Sequence, residues 1–316
     1  MLDQIRFESH PPRGPRVVPC PDYWQVIEAM QIIPQQLGWL EFDVWTAANL
    51  LLLGLLYFVG VYRVHAAGQK WPIGRTISFA LALFLLVIAY LGPFGAWAHA
   101  AFWPHMSQHL IVMMLVGPFI VLSNPVWLLF LNLSGSGRRK LVRVLRSKPV
   151  AIATTPWVGW VFFASVLLGS HIGPVMNLTI QDHDFMMFIE RPLYLIAALV
   201  FYYPLMGNDL IAKRPDPSIR VLSLGLMMIP ETTLGMVVHF APVTLFDAYV
   251  EVAPLYGIDA LTDQKFAGAT MWATAMVIDG FWMMFAAFDW WKDQERHTRK
   301  MEREERAEQV ARDTHV

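Results

Sequence analysis

The run Trp103-Pro104-His105-Met106-Ser107-Gln108-His109 sets two histidines four residues apart, and Met113 follows four residues later. On an α-helix these three side chains share one face. Imidazole and thioether are paired one turn apart twice more, as His183 with Met187 and as Met236 with His239. Nitrogen and sulfur of these kinds form a borderline-to-soft donor set. It suits copper(I), and less specifically copper(II) or zinc(II). A methionine taken singly is packing material. Only a histidine one turn away marks Met113, Met187 and Met236 as candidate ligands. His171 adds a further imidazole.

Four other ionisable residues, Glu190, Arg191, Glu231 and Asp279, lie inside apolar runs. Such groups are costly in lipid and are paired or functional where they occur. One reading is a clasp between Arg191 and a carboxylate that fixes helix packing. The other is an outer shell that orients metal ligands, or a path for protons.

The elements that must position these residues are membrane helices. The chain of 316 residues is 56% hydrophobic and 16% charged, where soluble domains carry about 25% charged residues. Its mean hydropathy is +0.42. Seven stretches approach the ~20 apolar residues that a span needs. They run Val44–Tyr62, Thr76–Leu91, His105–Leu131, Ile152–Ser170, Asp184–Tyr203, Val221–His239 and Phe266–Trp290. Lipid offers backbone groups no partners, so each stretch is a helix. The expected fold is all-α, a polytopic bundle of seven transmembrane helices, with a kink at Gly117–Pro118.

Lys and Arg alternate between connections. They fill the first, third and fifth connections and the C-terminal tail, while the second and fourth have none and the sixth has only Lys265. The positive-inside rule then sets the N-terminus outside and the C-terminus in the cytoplasm. Residues 1–43 form an outer tail with a candidate interfacial segment and no secretory signal, 44–291 the membrane domain, and 292–316 a charged cytoplasmic helix. In this topology His99, His105, His109, His171, His183 and His239 all fall at the outer face. A cluster converging from several helices is the expectation. The single cysteine, Cys20, excludes an internal disulfide and a CxxC motif. The basic connections are explained by orientation, so no nucleic-acid partner is implied.

The sequence resembles a known family through His105-Met106-Ser107-Gln108-His109, His171-x-x-Pro174, Asp263-Gln264, Gly268 and Met271-Trp272. These motifs are similar to those of the CtaG family of caa3-type cytochrome c oxidase assembly factors. The resemblance covers nearly the whole membrane region. It implies a multi-pass, non-enzymatic protein of the bacterial plasma membrane that helps mature the oxidase. Copper delivery to the buried binuclear centre is the implied task. The partners would be oxidase subunit I or its assembly intermediate, a periplasmic copper carrier and membrane lipid. In the family's motifs His105 and His109 match the first histidine pair, and Asp263 and Gln264 the DQ pair. One stretch departs. Family members often carry H-x-x-E-H in the fifth span, where this chain reads Met187-Phe188-Ile189-Glu190-Arg191. Arginine does not ligate copper, having no free lone pair near neutral pH. Either the site is rebuilt from His183, Met187 and His239, or this branch has changed its function.

Two other classes remain open at this level. A haem-bearing oxidoreductase would join His109 to His183 or His239 across facing helices, but such ligands sit deeper and His105 would be superfluous, so no haem is expected. A transporter would use Glu231, Asp279 and Arg191 as a coupled path, without the internal repeat common in such proteins.

Overall fold

A computed structural model describes residues 37–207 and 215–314. Cys20 and most of the expected N-terminal tail lie outside the described residues. The described chain is helical. Its principal helices are α1 (Val44–Ala66), α2 (Ile73–Tyr90), α3 (Phe102–Asn132), α4 (Pro156–Ser170), α5 (Gly173–Gln181), α6 (His183–Met206), α7 (Pro217–Phe240), α8 (Asp247–Val252) and α9 (Ala260–Thr314).

Six helices are long and apolar enough to cross a membrane, and the number is seven if the bent pair α4 and α5 is one span. The fourth span expected from the sequence is thus shorter than a simple helix. It begins only at Pro156, which suits a first helical position because it has no N–H to leave unpaired. The 15 residues of α4 rise about 22 Å, less than the ~30 Å of bilayer hydrocarbon. The chain then turns by 72° into α5. His171 sits at that corner.

α3 runs through the middle of the bundle, with 56% of its apolar window buried. It is not a uniform α-helix. Ile111–Val116 forms a π-helical turn before Gly117 and Pro118. A second π-helical turn, Met186–Glu190, precedes Pro192 in α6. Proline cannot donate to the carbonyl four residues back. For Pro118 that carbonyl belongs to Met114, and the indole Nε1 of the buried Trp282 donates to it at 2.8 Å. A side chain from α9 thereby satisfies a backbone acceptor that lipid could not.

α7 and α9 pack closely through glycine. A Cβ on Gly268 would lie 2.6 Å from the backbone N of His239 and 2.7 Å from the Gly235 carbonyl oxygen. Small residues that let helix backbones touch are the usual device in membranes. At the other end of the pair, buried Arg220 of α7 binds Asp289 of α9 at 3.1 Å.

α9 continues unbroken for 55 residues, about 82 Å. Its polar stretch contains no Gly or Pro, and i,i+4 pairs such as Lys300–Glu304 and Arg299–Glu295 line its surface. The membrane span and the charged C-terminal helix expected from the sequence are one element.

Candidate metal centre

The histidine-bearing first turns of α3 are held by a residue far away in sequence. Asp263, fully buried at the start of α9, accepts hydrogen bonds from the backbone N–H groups of Phe102 at 2.6 Å and Trp103 at 3.1 Å. The first N–H groups of a helix have no internal partner. A carboxylate there caps the helix and also complements its dipole. Gln264 secures the neighbouring loop. It accepts from the Leu245 N–H at 2.7 Å and donates to the Val243 carbonyl at 3.2 Å. Gln108, between the two histidines, donates to the Ala89 carbonyl at 2.7 Å and pins α3 to α2. The motif residues between and opposite the histidines therefore fix where the imidazoles stand.

His105 and His109 face Glu190 of α6. His105 Nε2 lies 3.6 Å and His109 Nε2 3.8 Å from Glu190 Oε1. One donor atom from each of the three residues lies within 4.8 Å of the others, and all three side chains are buried. Both nitrogens of His105, His109 Nε2 and Glu190 Oε1 have no hydrogen-bond partner. Buried polar atoms are almost always paired. Three convergent unpaired donors therefore fit a cation, which would supply the missing partner to all of them at once. The donor chemistry agrees, since imidazole ligates copper and zinc, and carboxylate ligates divalent ions such as zinc.

His171 lies beside this centre. Its ring centroid is 5.7 Å from that of His109. Its Nδ1 is 2.6 Å from the Leu167 carbonyl oxygen, which takes the ring proton on that side. Nε2 then carries the lone pair, and it points at Met106 Sδ 3.0 Å away. Tyr194 stacks on His109 with centroids 4.0 Å apart, and its hydroxyl bonds to Ser170. A small cavity of about 10 Å³, lined by Met106, His109, Met113, Met114, Glu231 and Met271 among others, opens just below. That is room for about one water molecule or one ion.

The structure brings together His105, His109 and Glu190, with His171 and Met113 adjacent. It sets the other sequence candidates elsewhere. His183 is exposed at the first residue of α6, 5.9 Å from the His99 ring. His239 is partly exposed and its Nδ1 meets the Lys265 carbonyl oxygen at 2.7 Å. Met236 is exposed. Met187 and Arg191 flank Glu190 in sequence but line a different hollow, between α1, α2 and α6. Among the described residues, Arg191 makes no ion pair with a carboxylate, so the expected clasp is not what holds it. Glu231 on α7 and Asp279 on α9 are buried, and Glu231 Oε2 and both Asp279 carboxylate oxygens have no hydrogen-bond partner among the described residues.

Sequence reasoning gave Glu190 an outer-shell place, whereas its carboxylate is one of the three converging donors. It named Met106 beside the histidines without making it a candidate ligand, and it passed over Ser170 and Tyr194. Tyr194 stands four residues after Glu190, on the same helical face, and Met106 lies within the histidine motif itself.

Fold and centre together define a multi-pass helical membrane protein with a buried two-histidine, one-carboxylate cluster near one end of its bundle. The chain belongs to the cytochrome c oxidase caa3 assembly factor family (Caa3_CtaG), whose model matches residues 55–293. Its relatives include an uncharacterized protein of Mycobacterium leprae, 26% identical over 246 residues, which are 74% of this chain and 36% of that protein. An uncharacterized protein of Mycobacterium bovis is 25% identical over 179 residues, covering 54% of this chain and 26% of its own length. The chain thus spans about a third or less of the length of the curated relatives it matches. No solved structure gives a significant match.

Proposed function

We propose that this protein takes up copper at His105, His109 and Glu190 and hands it to cytochrome c oxidase during assembly. The observation that carries this reading is the set of three buried donors within 4.8 Å of one another, unpaired at His105 Nδ1 and Nε2, His109 Nε2 and Glu190 Oε1. Copper here is cargo, and the protein acts as an assembly factor with no catalytic step.

Charge balance favours copper(I). A metal ion takes the carboxylate of Glu190 and neutral imidazoles as ligands, a set that carries one negative charge. A monovalent ion makes the buried cluster neutral, and an apolar bundle penalises any net charge. A divalent ion would leave one positive charge behind. The thioethers of Met106 and Met113 beside the cluster also favour the softer ion. His171 Nε2 and Met106 Sδ, 3.0 Å apart, form a second pair of donors next to the first. An ion shared between the two sets would move by ligand exchange, one bond forming as another breaks.

The Lys and Arg distribution supports an outward-facing histidine end of the bundle, in the bacterial plasma membrane. A periplasmic carrier would load the site from that side. Oxidase subunit I, or its assembly intermediate, would receive the ion. The haem reading loses its partners, because His183 and His239 stand outside the cluster. The test is metal content of detergent-purified protein expressed with copper, beside the variant His105→Ala/His109→Ala. Near-stoichiometric copper in the parent and its loss in the variant is the expected result. Copper absent from both would overturn the reading and leave a metal-free assembly role.

A further inference from the structure

Arg191 is 8% exposed, and its guanidinium is only partly used. Nη1 donates to Thr46 Oγ1 at 3.3 Å, and the group lies 4.8 Å from the Tyr90 ring centroid. Nε and Nη2 have no partner. These two N–H groups form one side of the planar fork. That side grips two oxygens of a phosphate or carboxylate at once.

The nearby carboxylates are engaged elsewhere. Glu190 faces His105 and His109. Asp43 caps α1 through the N–H groups of Trp45 and Thr46. Asp43 feels the charge of Arg191 through space, but among the described residues no carboxylate hydrogen-bonds to Nε or Nη2, and a bidentate anion would fill that side of the fork.

The space in front of it is apolar and large. A groove of about 460 Å³ opens laterally between α1, α2 and α6, walled by Trp45, Leu50, Leu53, Leu86, Met187 and Leu195. It runs down α1 from Trp45 to Leu53, eight residues or about 12 Å. The guanidinium stands at its upper end. The Arg191 backbone is two turns into α6, but helical side chains lean toward the helix start. Its partners mark the level, since Thr46 is in the first turn of α1 and Tyr90 is the last residue of α2. That is the depth at which spans end and lipid phosphates begin.

We propose that this groove is a binding site for one anionic phospholipid, with the phosphate held by Arg191 Nε and Nη2 and an acyl chain lying against Leu50, Leu53 and Leu195. The argument is charge complementarity. A phosphate diester completes the fork, and the hydrocarbon covers a wall that ends in a buried cation. The site is independent of the copper reading, because Arg191 and Met187 turn away from the histidine cluster.

The test uses full-length protein in detergent, stripped of lipid and titrated with phosphatidylglycerol or phosphatidylcholine while bound lipid is counted by native mass spectrometry. The parent should retain one phosphatidylglycerol, in preference to phosphatidylcholine. Arg191→Gln should weaken retention about tenfold or more, the effect of losing charge-assisted hydrogen bonds. Arg191→Lys should fall between, keeping charge without the fork. Leu53→Trp fills the groove and leaves the guanidinium in place, so it reads the acyl site even if Arg191→Gln fails to fold. Its retention should fall as well. Equal binding of both lipids, retention unchanged in Arg191→Gln or Leu53→Trp, or no bound lipid in the parent would each overturn the proposal.

Discussion

Replacing Asp263 by Ala tests whether a residue at the start of α9 sets the position of the histidines on α3. The substitution leaves the Phe102 and Trp103 N–H groups without their acceptor, in a region where Asp263 itself is 0% exposed. An unsatisfied buried donor costs about 1–3 kcal/mol, so two cost about 2–6 kcal/mol. Loss of the carboxylate from the helix N-terminus adds up to about 1 kcal/mol more. Asp263→Asn should lose part of this, because one amide oxygen still accepts while the amide nitrogen meets a donor. The assay is thermal or denaturant unfolding in detergent, followed by metal content on the folded fraction. The order parent, Asn, Ala should hold for stability. Bound metal should weaken in the same order, since His105 lies in the first turn of the helix that Asp263 caps. An Ala variant within about 0.5 kcal/mol of the parent, the range of ordinary surface changes, would refute the capping argument.

Three further outcomes rest on the same geometry. Trp282→Phe removes the donor to the Met114 carbonyl and should cost about 1–3 kcal/mol, read as a lowered Tm in detergent. Gly268→Ala places a methyl 2.6 Å from the His239 backbone nitrogen. It should cost at least about 1–3 kcal/mol and lower the yield of folded protein on size exclusion. Asp43 gives a pH dependence. Burial works to raise its carboxyl, but hydrogen bonds from Thr46 and Trp45 and the charge of Arg191 hold it below the ordinary value. A depressed folded value stabilises the fold above the unfolded value, about pH 3.9, and the benefit is lost as pH falls through the folded value. Asp43→Asn should therefore show a smaller loss of Tm between pH 6 and pH 3 than the parent does.

Much of the architecture is legible in the residue order. Length and hydropathy alone select membrane helices, because lipid forces each backbone to pair within its own segment. The seven apolar stretches correspond to six long helices and one bent pair. The bend escapes a hydropathy reading, since Pro156 and the corner at His171 interrupt geometry without interrupting apolarity. The kink expected at Gly117–Pro118 lies beside a π-helical turn, Ile111–Val116, that residue types do not announce.

The sequence by itself determined the class of protein and half of its centre. His105 and His109 share a face because they are four residues apart, a relation that the α-helical period guarantees. The third donor is a different matter. Glu190 reaches the histidines only because α6 packs against α3 in one register, and a π-helical turn ends on that residue. One extra residue in a turn rotates the remainder of the helix by about 100°, enough to exchange which of Met187, Glu190 and Arg191 faces the interior. The same holds for His183 and His239, which satisfy local spacing yet stand outside the cluster. Local periodicity fixes neighbours along one helix. Which helices meet, and through which faces, is decided by packing over the whole bundle, and that is where the centre was completed.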